Sequence, residues 1–177
     1  MSVNLVKSVE LLKTLRHQLL IALALLIVPV QMQAASDDAT VSADIITVIT
    51  LTNRSGMVFG DISTSNTPGT IVLNPDGSRQ ATGGVSFSST AGSSPAAFDV
   101  AGEPNTTYSI TLPITVILSE SNGGNMVVNN FTSQPDGTGL TDTGGQQSLF
   151  VGATLNVGSN QLIGSYSGIM SVTIGYN

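Results

Sequence analysis

Few side chains in this sequence can act near neutral pH as nucleophile, base or metal ligand, and most of them sit near its start. Lys7, Lys13, Arg16 and the single histidine, His17, all precede residue 34, and the chain has no cysteine or tryptophan. From residue 35 onward Arg54 and Arg79 face ten carboxylates, a net charge of −8. That stretch therefore lacks the histidine of a serine triad, the thiol of a cysteine nucleophile, the amine of a Schiff base and the softer metal ligands. Nucleotide-binding glycine loops and the Gly-x-Ser-x-Gly elbow are also missing. The remaining catalytic option is a pair of carboxylates hydrolysing a glycoside, drawn from Glu103, Glu120 and the aspartates, but nothing in their spacing pairs any two. Calcium is the one metal the oxygen ligands would suit, with Asp136 and Asp142 as candidates, and no Asp-x-Asp-x-Asp-Gly loop accompanies them. Two arginines cannot neutralise a phosphate backbone, so nucleic acid is not an expected partner. These residues predict a non-enzyme without cofactor or metal, in a binding, assembly or structural role.

The basic start has a simple explanation. A polar stretch with Lys7, Lys13 and Arg16 leads into twelve apolar residues, Leu19 to Val30, and then Gln31-Met32-Gln33-Ala34-Ala35, the three regions of a signal peptide in order. Twelve residues rise about 18 Å as a helix, short of the roughly 30 Å hydrocarbon core, which disfavours an anchor. The expectation is a cleaved signal over residues 1–34 and export across the inner membrane to the periplasm, cell surface or exterior, with no stable membrane insertion afterwards. Residues 35–177 read as one domain, large enough to bury a core without disulfides.

The elements that must position any site read as strands. Period-two alternation is clear in Tyr108, Ile110, Leu112, Ile114, Val116 and Leu118; in Leu149, Val151, Ala153, Leu155 and Val157; and in Tyr166, Gly168, Met170, Val172, Ile174 and Tyr176. Pro113 puts the first of these at a sheet edge or on a bulge. Shorter strands are expected at residues 57–62, 70–74, 79–88, 96–101 and 125–132. Asn74-Pro75-Asp76-Gly77 reads as a hairpin turn, Gly83-Gly84 as a bulge or bend, Gly123-Gly124 and Gly144-Gly145 as loop corners, and residues 134–145 as an exposed loop. Phe150 and Ile117, at the opposite parity to their apolar neighbours, mark either an interface patch or a strand face covered by a loop. Tyr108, Tyr166 and Tyr176 fall on apolar faces, where packing in the core explains them more simply than sugar stacking. Many short strands with turn signals between them describe an all-β, antiparallel, immunoglobulin-like β-sandwich.

The stretch 39–51 changes parity. Ala39, Val41, Ala43 and Ile45 alternate with polar residues, then Ile46 and Val48 appear on the other face, followed by Ile49 and Leu51. Either a first strand crosses between the two sheets, or residues 35–44 form an extension free to pair with a neighbour's sheet edge.

Met57-Val58-Phe59-Gly60-Asp61-Ile62, Asn74-Pro75-Asp76-Gly77-Ser78-Arg79, Thr82-Gly83-Gly84-Val85, Tyr108 through Pro113, Val151 through Val157 and the ending Val172 through Asn177, in this order, resemble the bacterial secreted proteins of domain-of-unknown-function family 4402. That resemblance implies an exported β fold and no particular activity. A looser similarity is to chaperone-usher pilus subunits, which end in an alternating strand with a penultimate tyrosine and a glycine about a dozen residues earlier, here Tyr176 and Gly164. It implies a pilin-like sandwich whose last strand pairs with a periplasmic chaperone and later with a neighbour's extension. The assembly residues expected on this basis are Ala39, Val41, Ala43 and Ile45 on the extension, and Gly164, Tyr166, Met170, Val172, Ile174 and Tyr176 on the last strand.

Two functions follow as expectations. The first is a fimbrial or matrix subunit that self-assembles through sheet-edge pairing. The second is a monomeric secreted adhesion domain that binds a surface glycan or protein through residues 89–95 and 134–145.

Overall fold

The structure, a computed structural model, describes residues 33–88 and 92–177. The expected signal peptide, residues 1–34, lies outside the described residues except for Gln33 and Ala34, as does part of the 89–95 loop. The chain divides into two units, Met1–Ala43 and Asp44–Asn177. In the first, residues 33–43 carry no regular element and are exposed.

The second unit is the expected all-β antiparallel sandwich, with no helix among the described residues. Its strands are β1 (Thr50–Ser55), β2 (Ile62–Leu73), β3 (Arg79–Phe87), β4 (Ala96–Ala101), β5 (Thr107–Thr111), β6 (Thr115–Ser119), β7 (Asn125–Gln134), β8 (Thr138–Leu140), β9 (Gln146–Val157) and β10 (Thr173–Tyr176). Seven form one sheet, and β10-β5-β8 form the other.

β9 is the spine. Its alternation buries Leu149, Val151, Ala153, Leu155 and Val157, which only a strand covered on that face can do. β7 lines one of its edges. The other edge is shared: residues 146–151 pair with β4, and residues 153–157 pair with β2. Gly152 sits at the changeover, where a Cβ would strike the Leu73 carbonyl.

The changeover divides the core in two. Phe98, Val100, Tyr108, Leu149 and Val151 form one cluster, against which Ile110 and Leu112 of the chain through β5 and Val172, Ile174 and Tyr176 at the C-terminus pack. Ile71, Val85, Met126, Val128, Leu155 and Val157 form the other, against which Met57, Phe59 and Tyr166 pack from segments outside the ladders. Phe131 touches both clusters. It points inward because β7 carries one extra residue between Asn129 and Thr132, with Asn130 at φ 49, so the buried parity changes from Met126 and Val128 to Phe131 and Ser133.

Several expected strands differ in extent. Residues 108–118 are two strands in different sheets: Pro113 has no N–H to donate, β5 ends at Thr111, and the chain crosses to the first sheet as β6. The last strand is only Thr173–Tyr176; residues 166–172 alternate, yet pair with the sandwich only through a single bridge at Ser167. Residues 39–49 form no strand, so the parity change precedes β1 and no first strand switches sheets. Residues 57–61 make one bridge, Val58 to Ser94, rather than a strand. β2 starts at Ile62, well before residue 70, because its ladder with β3 loops out between Thr64 and Gly69 around Pro68 and resumes opposite Gly83. The expected loop 134–145 contains β8, whose Gly139 lies beneath the Tyr108 ring.

The Asn74–Gly77 turn joins β2 to β3 as expected, with Gly77 at φ 85. Phe150 is half-buried beside Pro75, Pro95 and Pro135. Ile117 is exposed opposite Val127 on the outer face.

Leu155, on the spine and 1% exposed, sets a check on this core. Leu155→Ala should cost about 2–5 kcal/mol in denaturant unfolding, whereas Ile114→Ala, at an exposed position, should stay within roughly 0.5 kcal/mol of the parent. Equal effects at the two sites would refute the assignment of the core.

Candidate assembly site

Three of the carboxylates considered for chemistry, Glu103, Glu120 and Asp142, are engaged in holding backbone. Glu103 Oε2 accepts the Thr47 N–H at 3.0 Å. Both oxygens of Glu120 are taken by Ser121 and Asn122: Oε1 accepts the Ser121 hydroxyl and the Asn122 side-chain amide, and Oε2 accepts the Asn122 N–H. Asp142, one of the calcium candidates, accepts the N–H groups of Gly144 and Gln146 through Oδ1 and so closes its own turn. No cluster of three or more metal-ligating side chains occurs among the described residues.

The C-terminal segment is the more informative feature. The order β10-β5-β8 leaves β10 at the end of its sheet, with one edge on β5. Upstream, Ser167 exchanges both of its backbone hydrogen bonds with Ser119 of β6. Residues 166–176 thus run antiparallel to residues 108–119, joined at both ends and open between them where Pro113 interrupts the partner. In an antiparallel ladder the residues flanking a doubly bonded pair aim their N–H and C=O groups the other way. For Tyr166 and Gly168 that direction is away from β6, and among the described residues neither has a backbone hydrogen bond outside the strands.

That edge borders a cleft of about 1000 Å³. Residues 56–62 form one wall, residues 161–170 the other, and the floor is the second core cluster, with Val116, Met126, Val128 and Leu155 reaching it. Tyr166 secures the far wall. Its hydroxyl donates to the Leu162 carbonyl and accepts from Gln161 Nε2, both at 2.8 Å, and Gln161 also donates to Asn125 O. Two glycines are needed for this closure: a Cβ at Gly124 would meet the Tyr166 ring, and one at Gly164 would meet the Glu120 side chain. Ile163 and Ile169, at 99% and 90% exposure, are left uncovered on this wall.

The expected assembly residues thus fall in two places. Tyr166, Met170, Val172, Ile174 and Tyr176 are half-buried along one strand line, with Gly164 at its start. Ala39, Val41, Ala43 and Ile45 are exposed, Val41 at 95% and Ile45 at 99%. Sequence reasoning missed the fastening at Thr47. The Tyr176 hydroxyl donates to the Thr47 carbonyl and accepts the Glu103 N–H, while the Glu103 carboxylate holds the Thr47 N–H. It also missed Gln147, whose Oε1 accepts the Tyr108 hydroxyl and the Leu140 N–H and so ties β5 and β8 to β9. A buried tyrosine hydroxyl requires such a partner, and that was the available signal.

Residues 49–176 match the family described as domain of unknown function DUF4402. The chain belongs to this family. The match begins at Ile49, so the DUF4402 region holds the sandwich and the cleft, while the exposed stretch 39–48 lies before it. No curated protein matches the chain.

Four carboxyls of this DUF4402 chain sit below their ordinary range: Asp76 through the Ser78 hydroxyl, Asp99 through the Arg54 guanidinium, Glu103 through the Thr47 N–H, and Glu120 through the Ser121 hydroxyl. Folded, they release protons more readily than unfolded, so their stabilisation is complete above the unfolded carboxyl range and is lost as pH falls through the folded values. The melting temperature of residues 35–177 should therefore be level between pH 6 and 8, where no histidine titrates, and should fall progressively below about pH 4. A melting temperature that changes between pH 6 and 8 and is level below pH 4 would contradict these assignments.

Proposed function

We propose that this chain is a non-enzymatic structural subunit of a bacterial surface appendage or extracellular matrix, exported across the inner membrane, whose copies assemble by pairing strands at a sheet edge. The observation that carries the reading is the unpaired edge of residues 166–172 beside an apolar cleft. An open strand edge is a template for another strand, whose main chain supplies the ladder while alternate side chains face the cleft. A periplasmic chaperone would occupy the same edge before assembly.

The absence of histidine, cysteine and lysine after residue 34, and the engagement of Glu103 and Glu120 in backbone bonds, support a role without catalysis. The basic, apolar and small-residue regions of residues 1–34 support export.

The test compares residues 35–177 with a chain lacking residues 35–44, by size-exclusion chromatography and electron microscopy. The longer chain should form oligomers or filaments. The shorter should stay a monomer with the same cooperative unfolding, because the deleted residues carry no element of the sandwich. Filaments from the shorter chain would refute the role given to the extension.

A further inference from the structure

Phe150 stands apart from both core clusters. Its neighbours on β9, Leu149 and Val151, are buried inside the sandwich, so its own side chain rises from the opposite face of the sheet. There it meets Pro75, Pro95 and Pro135 around a pocket of about 610 Å³. We infer that this pocket binds a neutral hexose, with the Phe150 ring as its platform. The inference makes no use of the open strand edge and stands whether or not the protein assembles.

Three segments distant in sequence converge on the ring, each for a local reason. Across the sheet Phe150 pairs with Ala97 of β4 and Gln134 of β7. Alanine is too short to cover the ring from its side, and Gln134 leads directly into Pro135. Further along β9 on the same face comes Gly152, where a Cβ would lie 2.9 Å from Pro75 N. Glycine lets the end of β2 cross at that point, and the crossing sets Pro75 and Asp76 beside Phe150. Gly77, at φ 85, then turns the chain against Pro95, whose ring would lie 3.8 Å from a Cβ there. Pro95 and Pro135 belong to the stretches 89–95 and 134–145 that the sequence marks out as a contact surface, and Phe150 is the residue whose parity is out of place.

The chemistry of the pocket selects the ligand. Its volume falls within the roughly 300–1000 Å³ of small-ligand pockets. The electron-rich face of an aromatic ring attracts the polarised C–H groups on the apolar side of a pyranose, and the sugar's hydroxyls then need acceptors and donors around it. Asp76 supplies an acceptor: Oδ1 takes the Ser78 N–H and hydroxyl at 2.8 and 2.6 Å, while Oδ2 takes no bond from another residue among the described residues. Ser148 Oγ accepts from Arg54 at 2.8 Å and keeps its own hydrogen to donate. The exposed Gln134 amide offers both.

Charge narrows the class further. No cation lines the pocket among the described residues, and Arg54 alongside is already paired with Asp99. An acidic sugar or a phosphate would therefore meet Asp76, on a stretch of net charge −8, with nothing to offset it. An extended peptide fits less well, because β4 and β7 occupy both edges of β9 here and leave no main-chain groups for an added strand.

Saturation-transfer NMR on residues 35–177 tests this with the methyl glycosides of glucose, galactose and mannose, beside a methyl sialoside and a polyproline peptide. At least one neutral glycoside should receive transfer, strongest at its ring C–H protons. Asp76→Asn keeps the turn acceptor and removes the ionised oxygen; Phe150→Leu keeps apolar volume and removes the ring face. Each variant, once shown to melt with the parent, should weaken binding about tenfold or more in a titration. If either melts lower, Gln134→Ala on the exposed rim takes its place with the same expectation. Binding that survives these substitutions overturns the site. Transfer to the sialoside equal to that of the neutral sugars overturns the charge argument, and transfer to the peptide alone, or to no probe, overturns the hexose as occupant.

Discussion

Pro113 constrains more of this sandwich than any other residue. It cannot donate to a ladder, so the strand that begins at Thr107 ends at Thr111, and the chain changes sheets before resuming as β6. The second sheet is therefore confined to one half of the molecule, with strands of five, three and four residues. The first sheet keeps its full length, because β9 runs past both β4 and β2. Half of its apolar face is covered by a sheet and the other half by irregular chain and a cleft. The open edge follows directly, since residues 166–172 continue the line of β10 past the point where β5 has ended.

The fold was legible wherever alternation coincided with a ladder. β4 matches its expected bounds, β3 lies within a residue of them, and β9 contains the predicted run, because strands paired along most of their length bury one face and show it in sequence. Two stretches with the same alternation, residues 39–49 and 166–172, form no strand. Alternation records which face is to be buried; it does not record whether the partner belongs to the same chain. The expected single strand over residues 108–118 failed for a related reason, since a proline at a sheet change leaves the apolar period undisturbed. β8 escaped notice because three residues are too few to show a period.

The contacts around the last strand line were less legible than the strands. Alternation placed Tyr166, Met170, Val172, Ile174 and Tyr176 on one strand line, and they are half-buried along it, but the contact among Glu103, Tyr176 and Thr47 joins positions up to 129 apart in sequence and has no local signature. Glu103 and Glu120 could be recognised in sequence only as acids. Structure has both accept hydrogen bonds, Glu120 from the Ser121 hydroxyl and the Asn122 N–H and Glu103 from the Thr47 N–H, and those bonds also explain why their protons are held less tightly than usual. Membership of DUF4402 fits this division, since the matched region covers the sandwich and stops short of the exposed extension.

Hydrogen exchange at residues 168–172 tests the central claim most directly, comparing monomer with assembled protein. The account predicts rapid exchange of these amides in the monomer beside slow exchange in β9, and strong protection once assembled. Protection in the monomer equal to that of β9, or no change on assembly, would contradict it.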